Sequence, residues 1–183
     1  MIVIIPIVFA AVFLLWVAMI YNSLVRAGNH VKESWAQIDV ELKRRYDLIP
    51  NLVSTVKGYA AHEKNVLEQV ARARNAACAN TGSPKSQARD ENALVGVMKT
   101  LFAVVENYPD LKASSHFLEL QQELVNTEDR IQRARRFYNG NVRDLNNKVE
   151  VFPSNILAGL FGFSSAEYFE IDELSRAVPK TDF

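Results

Sequence analysis

Apolar and polar positions follow three different patterns along this chain. From Ile2 to Val25 no side chain is charged, and most are Ile, Val, Leu, Phe or Ala. As a helix the stretch measures ~36 Å, enough to cross a ~30 Å hydrocarbon core with some tilt. Pro6 falls in its first turns, where a missing donor does least damage. Beyond it the pattern becomes periodic: Val31, Trp35, Ile38, Leu42, Ile49, Leu52, Val56 and Tyr59 fall at steps of four and three, with Arg45 holding one place in the series. Such a heptad-like seam predicts a helix packed lengthwise against others.

Alanine and charged residues carry the predicted first helix on to about Ala79, where Asn80-Thr-Gly-Ser-Pro84 breaks it. A second helix is expected from about Gln87 to Asn107, with Leu94, Val97, Leu101, Val104 and Val105 inward. Tyr108-Pro109-Asp110 predicts a tight turn. A third helix, about Leu111 to Val149, carries Phe117, Leu120, Leu124, Ile131, Ala134, Tyr138, Leu145 and Val149 near seven-residue spacing, and Pro153 ends it. With little strand signal, the expected fold is all-α: one N-terminal transmembrane helix followed by an elongated antiparallel bundle of long, partly kinked helices. The expected division is anchor 1–25, helical bundle 26–150, and an apolar segment with an acidic tail 151–183. Trp35, Ile38, Leu42, Ile49, Leu52, Val56, Leu101, Phe117, Leu120, Leu124, Ile131 and Tyr138 are the expected bundle core.

Pro50 interrupts the first helix, yet the seam keeps its phase from Leu42 and Arg45 to Ile49, Leu52 and Val56. A hairpin would bring glycine or a polar cluster and has no need to preserve phase. Pro50 is therefore read as a kink. On that reading the chain leaves the membrane, returns and leaves again, and the apolar segment Phe152 to Phe163 lies at the end away from the anchor. At 12 residues this segment is too short to span a bilayer. It is read as a docking element through Phe152, Ile156, Leu157, Leu160, Phe161 and Phe163. The sequence after it, "EYFEIDELSRAVPKTDF", is net acidic and expected to be loosely ordered.

The N-terminal run is read as a retained anchor, with Ile2, Phe9, Leu14, Trp16 and Tyr21 facing lipid or its boundary. It lacks the basic start, the short apolar core and the small-residue cleavage site of a signal peptide. No cysteine follows it to accept a lipid. Arg26, Lys32 and then Lys43, Arg44 and Arg45 follow the span, so the positive-inside rule places the N-terminus outside and the bundle in the cytoplasm.

Acidic and basic residues balance at 21 each, which gives no global attraction to nucleic acid, and no nucleic-acid partner is expected. A single cysteine, Cys78, rules out an internal disulfide. His62-Glu63 begins like a zinc motif, but Val66 stands where the second histidine belongs. His30 and His116 have no ligand spacing with it, and no serine lies in a nucleophile elbow. No catalytic residue, metal site or cofactor is expected. Arg130, Arg133, Arg135, Arg136 and Arg143 read as a solvated helix face, with Asp129 and Arg133 four apart. Arg45, set in the apolar seam, needs a carboxylate, and Asp39 or Asp47 on the same helix is the expected partner.

The motifs "SWAQIDVELKRRYDLIPNLVSTVKGYAAHE" (34–63), "ENYPDLKA" (106–113), "LQQELVNTEDRIQRARRFYN" (120–139) and "FPSNILAGLFGF" (152–163) resemble the LemA family of bacterial membrane proteins. The resemblance covers nearly the whole chain and extends to related magnetosome membrane proteins. It implies one N-terminal span in the bacterial inner membrane and an elongated helical domain, and it supplies no catalytic residues. Gly140 and Leu145 depart from the more usual residues of the family. The expected role is a membrane-anchored scaffold, contacting lipid through one span and forming a homo-oligomer. The alternative is a transmembrane adaptor or sensor that regulates a signalling or protease system through a protein partner.

Overall fold

The computed structural model describes residues 4–171. Among them are six helices and no strand: α1 (Ile4–Tyr59), α2 (Lys64–Ala79), α3 (Pro84–Val105), α4 (Pro109–Lys112), α5 (Ser115–Glu150) and α6 (Ser154–Phe161). The fold is all-α. The chain divides into two compact units, one formed by residues up to Ala36 with Phe137–Glu167, the other by Gln37–Arg136 with the segment from Tyr168.

The second unit is an up-down set of α2, α3 and the adjoining parts of α1 and α5. Ile38, Leu42, Ile49, Leu52 and Val56 line the buried face of α1, and each is at most 2 % exposed. Leu101 from α3 and Phe117, Leu120, Leu124 and Ile131 from α5 are buried with them. Truncating a buried Leu or Ile to Ala in such a set costs about 2–5 kcal/mol. The seam stops at Val56, because Tyr59 is exposed. On α3 the inward face is Leu94, Val95, Met98, Leu101, Phe102 and Val105, with the expected Val97 and Val104 half-buried.

Pro50 lies inside an unbroken α1. The reversal falls instead at 60–63, so α1 does not continue to Ala79. Ala60-Ala61 has strong helix propensity and offers no local breaker. The helix ends there for tertiary reasons: the Ala60 side chain is buried, and Tyr108 Oη donates to Glu63 Oε1 at 3.0 Å. At the next reversal the local chemistry is explicit. Asn80 Oδ1 accepts from the Gly82 amide at 2.7 Å, and Ser83 caps α3 with Pro84 at its first position. The expected turn at Tyr108–Asp110 resolves into the single turn α4, after which α5 starts at Ser115 rather than Leu111.

The extra reversal changes the parity of the chain. In the first unit α5 runs antiparallel to α1, with Tyr138 against Trp35 (ring centroids 5.2 Å apart), Asn141 donating to the His30 carbonyl, and Lys148 Nζ donating to Ser23 Oγ at 2.7 Å. The apolar segment at the end of α5 therefore lies at the anchor end of the chain. This corrects the expectation that it points away from the anchor. Nor is the following stretch loose up to Ile171: Phe169 and Ile171 are buried in the second unit, where Arg135 donates to the Ile171 carbonyl. The rest of the acidic tail lies outside the described residues.

Candidate functional site: a buried charge cluster and an exposed apolar surface

Each of three helices of the second unit places one charged residue on its apolar stripe. Arg45 sits between Leu42 and Ile49 on α1, Glu91 follows Gln87 and precedes Leu94 on α3, and Glu128 lies between Leu124 and Ile131 on α5. All three are at most 1 % exposed. Arg45 Nη1 donates to Glu128 Oε2 at 2.9 Å, and Arg45 Nη2 donates to Glu91 Oε2. Tyr46 Oη and Gln87 Nε2 donate to Glu91 Oε1, and Gln87 also reaches the Ala77 carbonyl of α2 at 3.0 Å. One guanidinium thus ties α1 to α3 and α5, and the Gln87 amide extends the tie to α2.

Burial works against the Arg45 charge, but the Glu91 and Glu128 carboxylates more than offset it and hold the guanidinium protonated above its ordinary range. Burial and the same Glu91 carboxylate raise the Tyr46 phenol, so it stays neutral and donates. The expected partners Asp39 and Asp47 are both exposed and take no part. On one helix they can approach Arg45 only around the surface, whereas its stripe faces α3 and α5. The missed partners had a sequence signal: 87, 91, 94, 98, 101 and 105 form one stripe on α3, and 124, 128 and 131 one on α5.

The cluster is closed to solvent, so its chemistry is internal. Elsewhere, a cleft lined by Phe102, Val105, Lys112 and Phe117 has a volume of about 40 Å³, far below the ~300 Å³ at which small-molecule sites begin. His30, His62, His116 and Cys78 are exposed, and among the described residues no three His, Cys, Asp or Glu side chains converge on a metal position.

The first unit presents the opposite chemistry. Phe9, Leu14, Trp16 and Tyr21 are exposed, as are Ile4, Ile5, Ile7, Val12, Phe13 and Leu15; Ile2 lies outside the described residues. This part of α1 is long and apolar enough to cross a membrane, and none of its apolar window is covered by the rest of the chain. In the apolar segment, Leu157 and Ala158 are buried, whereas Phe152, Ile156, Leu160 and Phe161 are exposed. Phe161 and Phe163 place their rings edge-on to Tyr21, at centroid distances of 4.9 and 5.9 Å. Of the expected core, Tyr138 is buried and Trp35 half-buried here.

The sequence profile of the LemA family matches residues 34–183. Magnetosome protein MamQ 2 of Paramagnetospirillum magneticum is 27% identical over 183 aligned positions, covering 86% of this chain and 67% of the relative. Protein LemA of Metamycoplasma hominis is 25% identical over 155 positions, covering 85% of this chain and 71% of that protein. Magnetosome protein MamQ of Magnetospirillum gryphiswaldense is 25% identical over 182 positions, with 86% and 67% covered. With 150 of its 183 residues matched by the profile, the chain belongs to the LemA family.

Proposed function

We propose that the chain is a single-pass membrane-anchored helical scaffold that self-associates and performs no reaction of its own. Its N-terminus lies outside the bacterial inner membrane and its bundle in the cytoplasm. The observation that carries this reading is the uncharged, uncovered first stretch of α1, which soluble folding leaves with no apolar surface to meet. In water such a contiguous apolar surface is costly, whereas a bilayer satisfies it. Arg26, exposed just beyond it, supports the cytoplasmic side for the bundle.

The heptad seam is filled by the chain's own helices, so association between copies uses the apolar surface outside it, above all the span. Alkaline carbonate extraction of membranes tests the anchor, and light scattering in detergent tests the association. The expected result is a chain that stays in the membrane pellet and elutes as a defined multimer, and Leu14→Arg with Leu15→Arg should release it to the supernatant. A carbonate-soluble, monomeric wild-type chain contradicts the proposal.

One feature favours the adaptor reading as a second possibility for the same anchor. α1 runs without a break from Ile4 to Tyr59, so the apolar stretch and Arg45 share one helix. A stable protein partner recovered with the full chain, in place of a homo-oligomer, would select it.

A further inference from the structure

We propose that α6 is a second membrane contact: a short helix lying in the lipid–water boundary of the same leaflet that the span leaves. This rests on the span being a membrane anchor and assigns the apolar segment to lipid of that same membrane.

Three observations converge. First, α6 has two apolar sides with different fates. Leu157 and Ala158 pack inward, while Ile156 and Leu160, four residues apart, share another face and are 62 and 75 % exposed, and Phe152 in the turn before the helix is 74 % exposed. No charged residue occurs between Glu150 and Glu167. A soluble helix of this size would carry polar residues outward.

Second, its depth is fixed by the span. Phe161 and Phe163 flank Tyr21, whose ring ends the exposed apolar run at the place where aromatic side chains meet the headgroups. Arg26, the first charge on α1, lies ~8 Å further along the helix. Lys148 Nζ, bonded to Ser23, puts a second cation in the same zone, where lipid phosphates are found.

Third, α6 is held in place. Gly162, at φ 73°, ends it in a conformation that glycine adopts without cost, and the Phe163 amide returns to the Ala158 carbonyl at 2.9 Å. That turn directs Phe163 back onto Tyr21. Asn146 then pairs with both backbone groups of Ala166, and Tyr138 Oη donates to the Glu167 carbonyl at 2.8 Å. A helix clamped on both sides, with its apolar face open beside an anchor, is built to rest in lipid.

The test uses the full chain in phosphatidylethanolamine–phosphatidylglycerol vesicles. A polarity-sensitive fluorophore is attached at Leu160→Cys, Leu14→Cys or Thr81→Cys, each in a Cys78→Ala background. Nitroxide lipids then report depth. The expected result is blue-shifted emission at position 160, quenched most by nitroxide near the headgroup. Position 14 is quenched most by nitroxide near the chain ends, and position 81 by neither. Water-like emission at 160 with lipid quenching at 14 overturns this inference and leaves the anchor standing. Blue-shifted emission at 160 without lipid quenching also overturns it, in favour of a second copy of the chain. Absence of quenching at 14 overturns the anchor itself, and α6 with it.

Discussion

Arg74 Nε lies 3.0 Å from the carbonyl oxygen of Tyr46, and Tyr46 stands four residues before Pro50. That carbonyl is the one whose helical donor Pro50 removes. A side chain from α2 therefore replaces the backbone bond that the proline deletes from α1. The proline sits exposed within a continuous helix, and its polar consequence is answered by the neighbouring helix.

The pairing predicts coupling between the two positions. Arg74→Met should cost about 1.5–3 kcal/mol in the native background, since it removes a charged donor from the carbonyl whose i+4 helical donor the proline deletes. In a Pro50→Ala background the helix supplies its own donor, and the cost of Arg74→Met should fall well below that. Urea unfolding of the four chains measures the cycle; equal costs in both backgrounds contradict it.

The buried cluster predicts an asymmetric response. Arg45→Met leaves Glu91 and Glu128 buried without their cation and should destabilise the fold by about 3–5 kcal/mol. Arg45→Met combined with Glu91→Gln and Glu128→Gln removes all three charges and should recover most of that loss. Arg45→Lys should not rescue, because an ammonium lacks the planar fork that reaches two carboxylates at once. A triple variant as unstable as Arg45→Met alone would show that uncompensated charge is not the cause.

Alkaline pH gives a third test. Burial raises the Tyr138 phenol to about 12, with Glu167 adding to it, and Tyr46 is raised further in the same direction. An unfolded tyrosine ionises near pH ~10. The neutral phenols therefore contribute stability that is fully present below pH ~10 and is lost as pH rises through the folded values. Stability should fall from about pH 10 upward, and Tyr138→Phe should flatten the fall. Tyrosinate absorbance checks this directly: Tyr138 and Tyr46 should ionise above the ordinary tyrosine range in the folded chain. A fall in stability that is complete below pH ~9 contradicts the assignment.

Gly140 sits within α5 with open space where a Cβ would be. Gly140→Ala should stabilise the chain by about 1 kcal/mol through helix propensity alone. Thermal melts of the two chains decide it, and a loss of stability would contradict the propensity argument.

Much of this architecture is written in periodicity. The seam through Ile38, Leu42, Ile49, Leu52 and Val56 identified the buried face of α1, and its unbroken phase across Pro50 identified one continuous helix. Asn80-Thr-Gly-Ser-Pro84 marked a reversal because its residues make the turn's own hydrogen bonds. The reversal at Ala60–Glu63 left only Gly58, one glycine inside the helical pattern, as a mark. Alanine favours helix, and the turn is imposed by burial of Ala60 and by Tyr108, more than forty residues away. Missing it inverted the placement of α6. The charge cluster was half legible: Arg45 stood out among aliphatic neighbours, while Glu91 and Glu128 resembled ordinary charged positions until their stripes were extended through them.

The most direct measurement uses the chain's own thiol. Cys78 is the only cysteine and is exposed on α2, so a membrane-impermeant maleimide reports which side of the membrane the bundle occupies. In intact spheroplasts no labelling is expected, with full labelling after lysis in a chain that sediments with the membrane. Labelling in intact spheroplasts would place the bundle outside and contradict the cytoplasmic scaffold.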